Sequence, residues 1–121
     1  MTRVLIVDDN LTFRRQLRKL LTHAGMEVIA EAGTIAEASA LVQQHHPDLA
    51  IVDVLLPGIN GLEGVPKLKA LSRDLHIILI SAYQNFRESA LQAGAEAFYA
   101  KDTLDLDTVR DWKVDDHEET T

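Results

Sequence analysis

Leu49-Ala50-Ile51-Val52-Asp53, followed by Val54-Leu55-Leu56-Pro57-Gly58-Ile59-Asn60-Gly61, is the stretch that decides the fold of this chain. Four apolar residues close on an acid, and proline and glycine then punctuate the loop. An apolar run this short reads as a strand buried on both faces, which is what a parallel sheet requires. The pattern recurs on either side. Val4-Leu5-Ile6-Val7 ends in Asp8-Asp9, Ile77-Ile78-Leu79-Ile80 ends in Ser81, and Ala97-Phe98-Tyr99-Ala100 ends in Lys101. Met26 to Ala32 reads as a further strand, with no reactive residue at its end.

Helical patterns fill the intervals. After Asn10, a good N-cap, Phe13, Leu17, Leu20, Leu21 and Ala24 fall on one helix face, and Gly25 stops the helix. Gly33-Thr34 opens a second helix with Ala38, Leu41 and Val42 inward, ended by Pro47. A third carries Leu62, Val65, Leu68 and Leu71, with Pro66 in its first turns. A fourth uses Phe86, Ala90 and Ala93 and closes at Gly94, while Leu106, Val109 and Trp112 mark a short last helix. Strands alternating with helices predict an α/β fold: a doubly wound parallel sheet of five βα units with helices on both faces. The flavodoxin-like order 2-1-3-4-5 suits five units and sets strands 1 and 3 side by side at the switch point.

In such a sheet, ligands bind beyond the carboxyl ends of the strands. Asp8, Asp9, Asp53, Ser81 and Lys101 therefore meet on one edge. Three adjacent carboxylates repel one another, and a divalent cation resolves the conflict; magnesium takes carboxylate and phosphate oxygens. A carboxylate beside such a metal can attack a phosphoryl group. Lys101 offers a point charge for the phosphate and Ser81 a hydrogen bond.

Bulk properties narrow the classes. The 121 residues make one domain, and 46% hydrophobic with 26% charged residues is ordinary for a soluble globular protein. No apolar stretch is long enough for a membrane span, and the start Met1-Thr2-Arg3 leaves no room for a signal peptide, so cytoplasm is the expected compartment. Absence of cysteine excludes disulfides, thiolate zinc sites and cysteine nucleophiles. Residues 102–121 hold −6 of the net −7, and the nearest candidate for a basic patch, Arg14-Arg15 with Arg18-Lys19, suits a solvated or protein-docking helix face better than DNA. Direct nucleic-acid binding is not expected.

Val7-Asp8-Asp9, Asp53-x-x-x-Pro57-Gly58-x-x-Gly61, Ser81-Ala82 and Tyr99-x-Lys101, in this order at successive strand ends, resemble a response-regulator receiver domain of bacterial two-component signalling. The resemblance runs from residue 3 to about 112. Lys101-Asp102 and the opening Thr2-Arg3-Val4-Leu5-Ile6-Val7-Asp8-Asp9 are similar to receivers of LuxR-type regulators. It implies a receiver over residues 1–113 and an acidic polar tail over 114–121. It further implies Asp53 as phosphoacceptor, with Mg2+ held by Asp8, Asp9, Asp53 and the Leu55 backbone carbonyl. Ser81, Ala82 and Lys101 would hold the phosphoryl group, and Tyr99 would swing into space vacated by Ser81. The implied partners are a histidine kinase or histidine phosphotransfer protein and a downstream protein effector.

Many receivers have a proline after the lysine, with a cis peptide. A non-proline cis bond costs roughly 2.5–4 kcal/mol, so Lys101–Asp102 is expected trans. The short acidic last helix argues against strong dimerisation, leaving a monomer or weak dimer. Competing readings are a pseudo-receiver acting as a constitutive interaction domain, and the receiver half of a DNA-binding transcriptional regulator. A phosphatase with an aspartate nucleophile fits less well, because Asp53-Val54-Leu55 lacks a second acid. The expected activity is a phosphoryl-accepting switch with slow self-hydrolysis, not a turnover enzyme.

Overall fold

The computed structural model describes residues 1–114; the acidic tail expected from residue 114 onward otherwise lies outside the described residues. Strands β1 (Arg3–Val7), β2 (Glu27–Ala32), β3 (Leu49–Asp53), β4 (His76–Ser81) and β5 (Ala97–Ala100) alternate with helices α1 (Leu11–His23), α2 (Ile35–His45), α3 (Gly61–Leu71), α4 (Arg87–Gln92) and α5 (Leu106–Arg110). All pairings are parallel and the order is β2-β1-β3-β4-β5, the flavodoxin-like arrangement expected for five βα units.

The central strands are buried on both sides because helices cover both faces. Leu5, Val7, Ala50, Val52, Ile77, Leu79 and Phe98 point to one face, where residues of α2, α3 and α4 pack on them. Val4, Ile6, Leu49, Ile51, Ile78 and Ile80 point to the other, against Leu17 and Leu21 of α1, Val109 of α5 and Trp112. Truncating one of the fully buried aliphatic residues, such as Leu68 or Ile51, to alanine costs about 2–5 kcal/mol. Strand β2 lies at an edge and is mostly half-buried, so continuous burial holds only for the inner strands.

The local signals operate as their chemistry dictates. Asn10, Thr34, Asn60 and Asp105 each cap a helix by accepting a backbone N–H three residues on, a contact worth about 1 kcal/mol. Asn60 and Glu63 complete a reciprocal capping box. Three details differ from expectation. Leu71, at the last turn of α3, is exposed instead of inward. Phe86 sits in a 3-10 turn (Gln84–Phe86), leaving α4 only six residues. Pro66 stands in the middle of α3, at its sixth of 11 residues. Every described peptide bond, Lys101–Asp102 included, is trans.

Candidate metal and phosphoryl site

The β1–β3 adjacency brings Asp8, Asp9 and Asp53 together. Carboxylate oxygens of all three lie within 4.8 Å of one another. Asp8 is wholly buried, Asp53 nearly so and Asp9 exposed, giving a cluster that opens to solvent on one side. Asp8 is fixed at both ends: its N–H donates to the Ala32 carbonyl at 2.9 Å, and its Oδ1 accepts the Asn10 N–H at 2.8 Å. Its backbone carbonyl accepts from Arg14 Nη1 at 2.6 Å, and Arg14 Nε in turn holds Glu31 at 2.9 Å.

The loop after Asp53 is shaped by two glycines. Gly58 adopts φ +79°, which disfavours any residue with a side chain. Gly61 has no room for one: an added Cβ would lie 2.3 Å from the Asp53 carbonyl oxygen. Its N–H donates to the Val54 carbonyl at 2.7 Å, so the start of α3 is pressed directly onto the strand end that presents Asp53. That close approach explains the glycine at the end of the motif.

Lys101, on a 3-10 turn after β5 (Lys101–Thr103), reaches back across the sheet edge. Its Nζ donates to Asp53 Oδ2 at 3.1 Å and stands 2.7 Å from Asp8 Oδ2. The latter contact is a close ion pair, in which Lys101 supplies the counter-charge of the buried Asp8 Oδ2. The other oxygen of Asp53, Oδ1, accepts the Leu55 N–H at 3.2 Å.

Burial and the neighbouring Asp8 charge push the Asp53 carboxyl above its ordinary value, against the opposing pull of Lys101 and the Leu55 N–H. Burial works to lower Lys101, but its contact with Asp8 and the charges of Asp53 and Asp8 outweigh that and hold the ammonium above its ordinary value. One cation thus faces two carboxylates, and the site carries a deficit of positive charge. Three clustered carboxylates that share one ammonium, an all-oxygen donor set, fit a hard divalent cation such as magnesium. They do not fit zinc, which favours nitrogen and sulfur ligands.

Ser81 ends β4 fully buried, and its Oγ accepts the Tyr83 N–H at 3.1 Å, which leaves the hydroxyl proton to donate. Ala82 is exposed beside it. Tyr99 is placed differently from expectation. Its ring packs on Trp112, centroids 5.2 Å apart, on the α1–α5 face. Strand alternation carries Ser81 to the opposite face, with Ile77 and Leu79. The β5 aromatic on that face is Phe98, to which the sequence alone assigns no role. Arg87 lies 5.5 Å above the Phe98 ring and donates to the Phe98 carbonyl at 3.2 Å. The expected movement of Tyr99 into space left by Ser81 does not follow from this arrangement, since of the two β5 aromatics Phe98 is the one that shares the face of Ser81.

Comparison with known proteins agrees with this fold. The response regulator receiver domain family matches residues 4–111. Chemotaxis protein CheY of Bacillus subtilis is 36% identical over 101 residues, 82% of this chain and 84% of that protein. The solved signal receiver domain of NarL from Mycobacterium tuberculosis superposes with a TM-score of 0.82 at 30% identity, covering 91% of this chain and 90% of that one. The CheX–CheY–BeF3–Mg2+ complex of Borrelia burgdorferi gives 0.80 at 28% identity, covering 89% and 83%. The chain spans about half the length of curated transcriptional regulators that it matches. Receiver domains are signalling switches that generally use Mg2+ and interact with histidine kinases and downstream effectors. Among the described residues no helix is long and apolar enough to cross a membrane. With its acidic cluster at the β1–β3 switch point and Lys101 reaching over it, the chain belongs to the response regulator receiver domain family.

Proposed function

We propose that this receiver takes a phosphoryl group onto Asp53 in a magnesium-dependent reaction and thereby switches its protein contacts. The observation that carries the reading is the Asp53 carboxylate: almost buried, within 4.8 Å of Asp8 and Asp9, and bound at 3.1 Å by Lys101. A nucleophile so held is positioned by one cation and one N–H, with its approach open on the Asp9 side.

Asp8, Asp9, Asp53 and the Leu55 carbonyl are the protein groups that would hold the magnesium ion. The chemistry the ion supplies when bound is neutralisation of charge on the transferring oxygens. The donor is a phosphohistidine of a histidine kinase or histidine phosphotransfer protein. Its nitrogen–phosphorus bond breaks as an Asp53 oxygen–phosphorus bond forms, and the leaving imidazole takes up a proton. Lys101 moves its ion pair from the carboxylate to the new phosphoryl oxygens, and the Ser81 hydroxyl and Ala82 N–H donate to them. Slow attack by water restores the carboxylate, so the chain acts as a switch and not as a turnover enzyme.

Downstream, the phosphoryl charge biases two packings of the β4–α4–β5 region. A protein effector reads the difference. The half-length match to transcriptional regulators favours one second reading, in which this chain is the receiver half of such a regulator. Intact mass after incubation with acetyl phosphate and magnesium tests the main reading. A phosphoryl-sized gain is expected in the wild type, absent in Asp53→Ala and lost on chelation. No gain in a folded, magnesium-binding wild type would leave a constitutive interaction domain instead.

A further inference from the structure

We propose that Phe13 is a positioning residue for phosphoryl transfer, its ring face holding the Lys101 ammonium against Asp53. The inference rests on the reading of Asp53 as acceptor and extends the site to α1. Lys101 Nζ lies 4.2 Å from the centroid of the Phe13 ring. It also stands 2.7 Å from Asp8 and 3.1 Å from Asp53, so three groups, from α1, the turn after β1, and β3, surround one cation.

The ring is itself fixed. Phe13 occupies the first turn of α1, and its N–H donates to the capping Asn10 side chain at 2.9 Å. Its remaining surface packs on the α1–α5 core. A lysine head group on four methylenes is mobile, and ordering it costs rotamer freedom. A π face attracts the charge but offers no lone pair to compete for the ammonium hydrogens. Those hydrogens stay available to Asp53 and, after transfer, to the phosphoryl oxygens. The ring also closes one side of the ammonium to water, which strengthens the remaining electrostatic contacts. Its attraction does not depend on which oxygen bears the negative charge, so it persists through the reaction.

A purely space-filling phenylalanine predicts the same structure, so the test must change the ring's charge distribution and not its shape. Phenylalanines with one, two and three ring fluorines, placed at position 13 of the full chain, do this: fluorine drains the negative face with little change in size. The readout is the rate of Asp53 phosphorylation by acetyl phosphate at saturating magnesium, followed by intact mass. Melting temperature and magnesium affinity are measured alongside.

The rate is expected to fall stepwise along the series, by about three- to tenfold at three fluorines, while stability and magnesium affinity hold. Phe13→Trp should keep the rate within about twofold, and Phe13→Leu should lose as much as the trifluoro variant. A flat series in a protein that takes up phosphate overturns the role of Phe13 and leaves Asp53 as acceptor. A wild type that gains no phosphoryl group overturns both.

Discussion

Lys101 Nζ, carried on the turn after β5, lies 2.7 Å from Asp8 Oδ2 at the end of β1, although β3 and β4 stand between the two strands. The contact spans the whole width of the site, and Asp53 is bridged on the way at 3.1 Å. Two nearly buried carboxylates are thus tied by one ammonium.

Removing that ammonium leaves Asp8 buried without a counter-charge and Asp53 beside it. Lys101→Met is expected to destabilise the metal-free protein by about 2–3 kcal/mol at neutral pH, less than a fully buried pair because Lys101 retains some exposure. The folded form holds the Lys101 proton more tightly than the unfolded chain. The stabilisation is therefore complete below the ordinary lysine value of 10.5 and is lost as pH rises through the higher folded value. Urea titrations of both proteins from neutral to strongly alkaline pH check this, and the difference between them should shrink only at the alkaline end.

Divalent cations should stabilise the fold through the same cluster. At a magnesium concentration about 100-fold above its dissociation constant, the gain is about 2.7 kcal/mol. Asp9→Ala or Asp53→Ala should lose most of it. Thermal unfolding with magnesium, with calcium and with chelator measures the effect. Equal gains in wild type and variants would place the ion elsewhere.

Glu31 ties the first turns of α1 to β2. Its carboxyl is partly desolvated, which works to raise its pKa, but hydrogen bonds and charges from Arg18 and Arg14 prevail and hold it below the ordinary value. That stabilisation is present above 4.5 and lost as pH falls through the lower folded value. Glu31→Gln is expected to cost about 0.5–1 kcal/mol at neutral pH, with the difference vanishing in acid. Because Arg14 also holds the Asp8 carbonyl at 2.6 Å, the variant should weaken magnesium binding as well, which calorimetry reads directly.

The two aromatics of β5 should behave differently. Tyr99→Phe is expected to change stability by less than about 0.5 kcal/mol and to leave phosphoryl uptake intact, since the ring still packs on Trp112. Phe98→Ala removes a buried ring and should cost about 3–5 kcal/mol. With fluorine labels at either position, addition of beryllofluoride and magnesium should shift the Phe98 resonance and leave that of Tyr99 nearly still. The reverse result would restore Tyr99 as the moving residue.

Much of this protein is local, and what is local was legible. Each inner strand is a short apolar run because helices cover both its faces, and four of the five α-helices start with their own acceptor: Asn10, Thr34, Asn60 and Asp105, α4 being the exception. Strand ends read in the same way, and the alternation of strands and helices places Asp8, Asp9, Asp53, Ser81 and Lys101 on one edge. The five-unit alternation was enough to imply which edge.

Which side chain faces which layer was not local. β5 has only four residues, Ala97-Phe98-Tyr99-Ala100, apolar throughout, so alternation alone could not tell whether Phe98 or Tyr99 shares the face of Ser81. The parallel register of Ile80 with Tyr99 and Leu79 with Phe98 decided it. The cation–π contact of Phe13 with Lys101 and the hold of Arg14 on the Asp8 carbonyl likewise join elements with no shared sequence pattern. The sequence by itself determined the elements, their order and the chemistry at the strand ends, because propensity, capping and hydrophobic period act over a few residues. Only the tertiary structure decided the orientation and neighbours of those groups, because these depend on strand register and helix packing between distant parts of the chain.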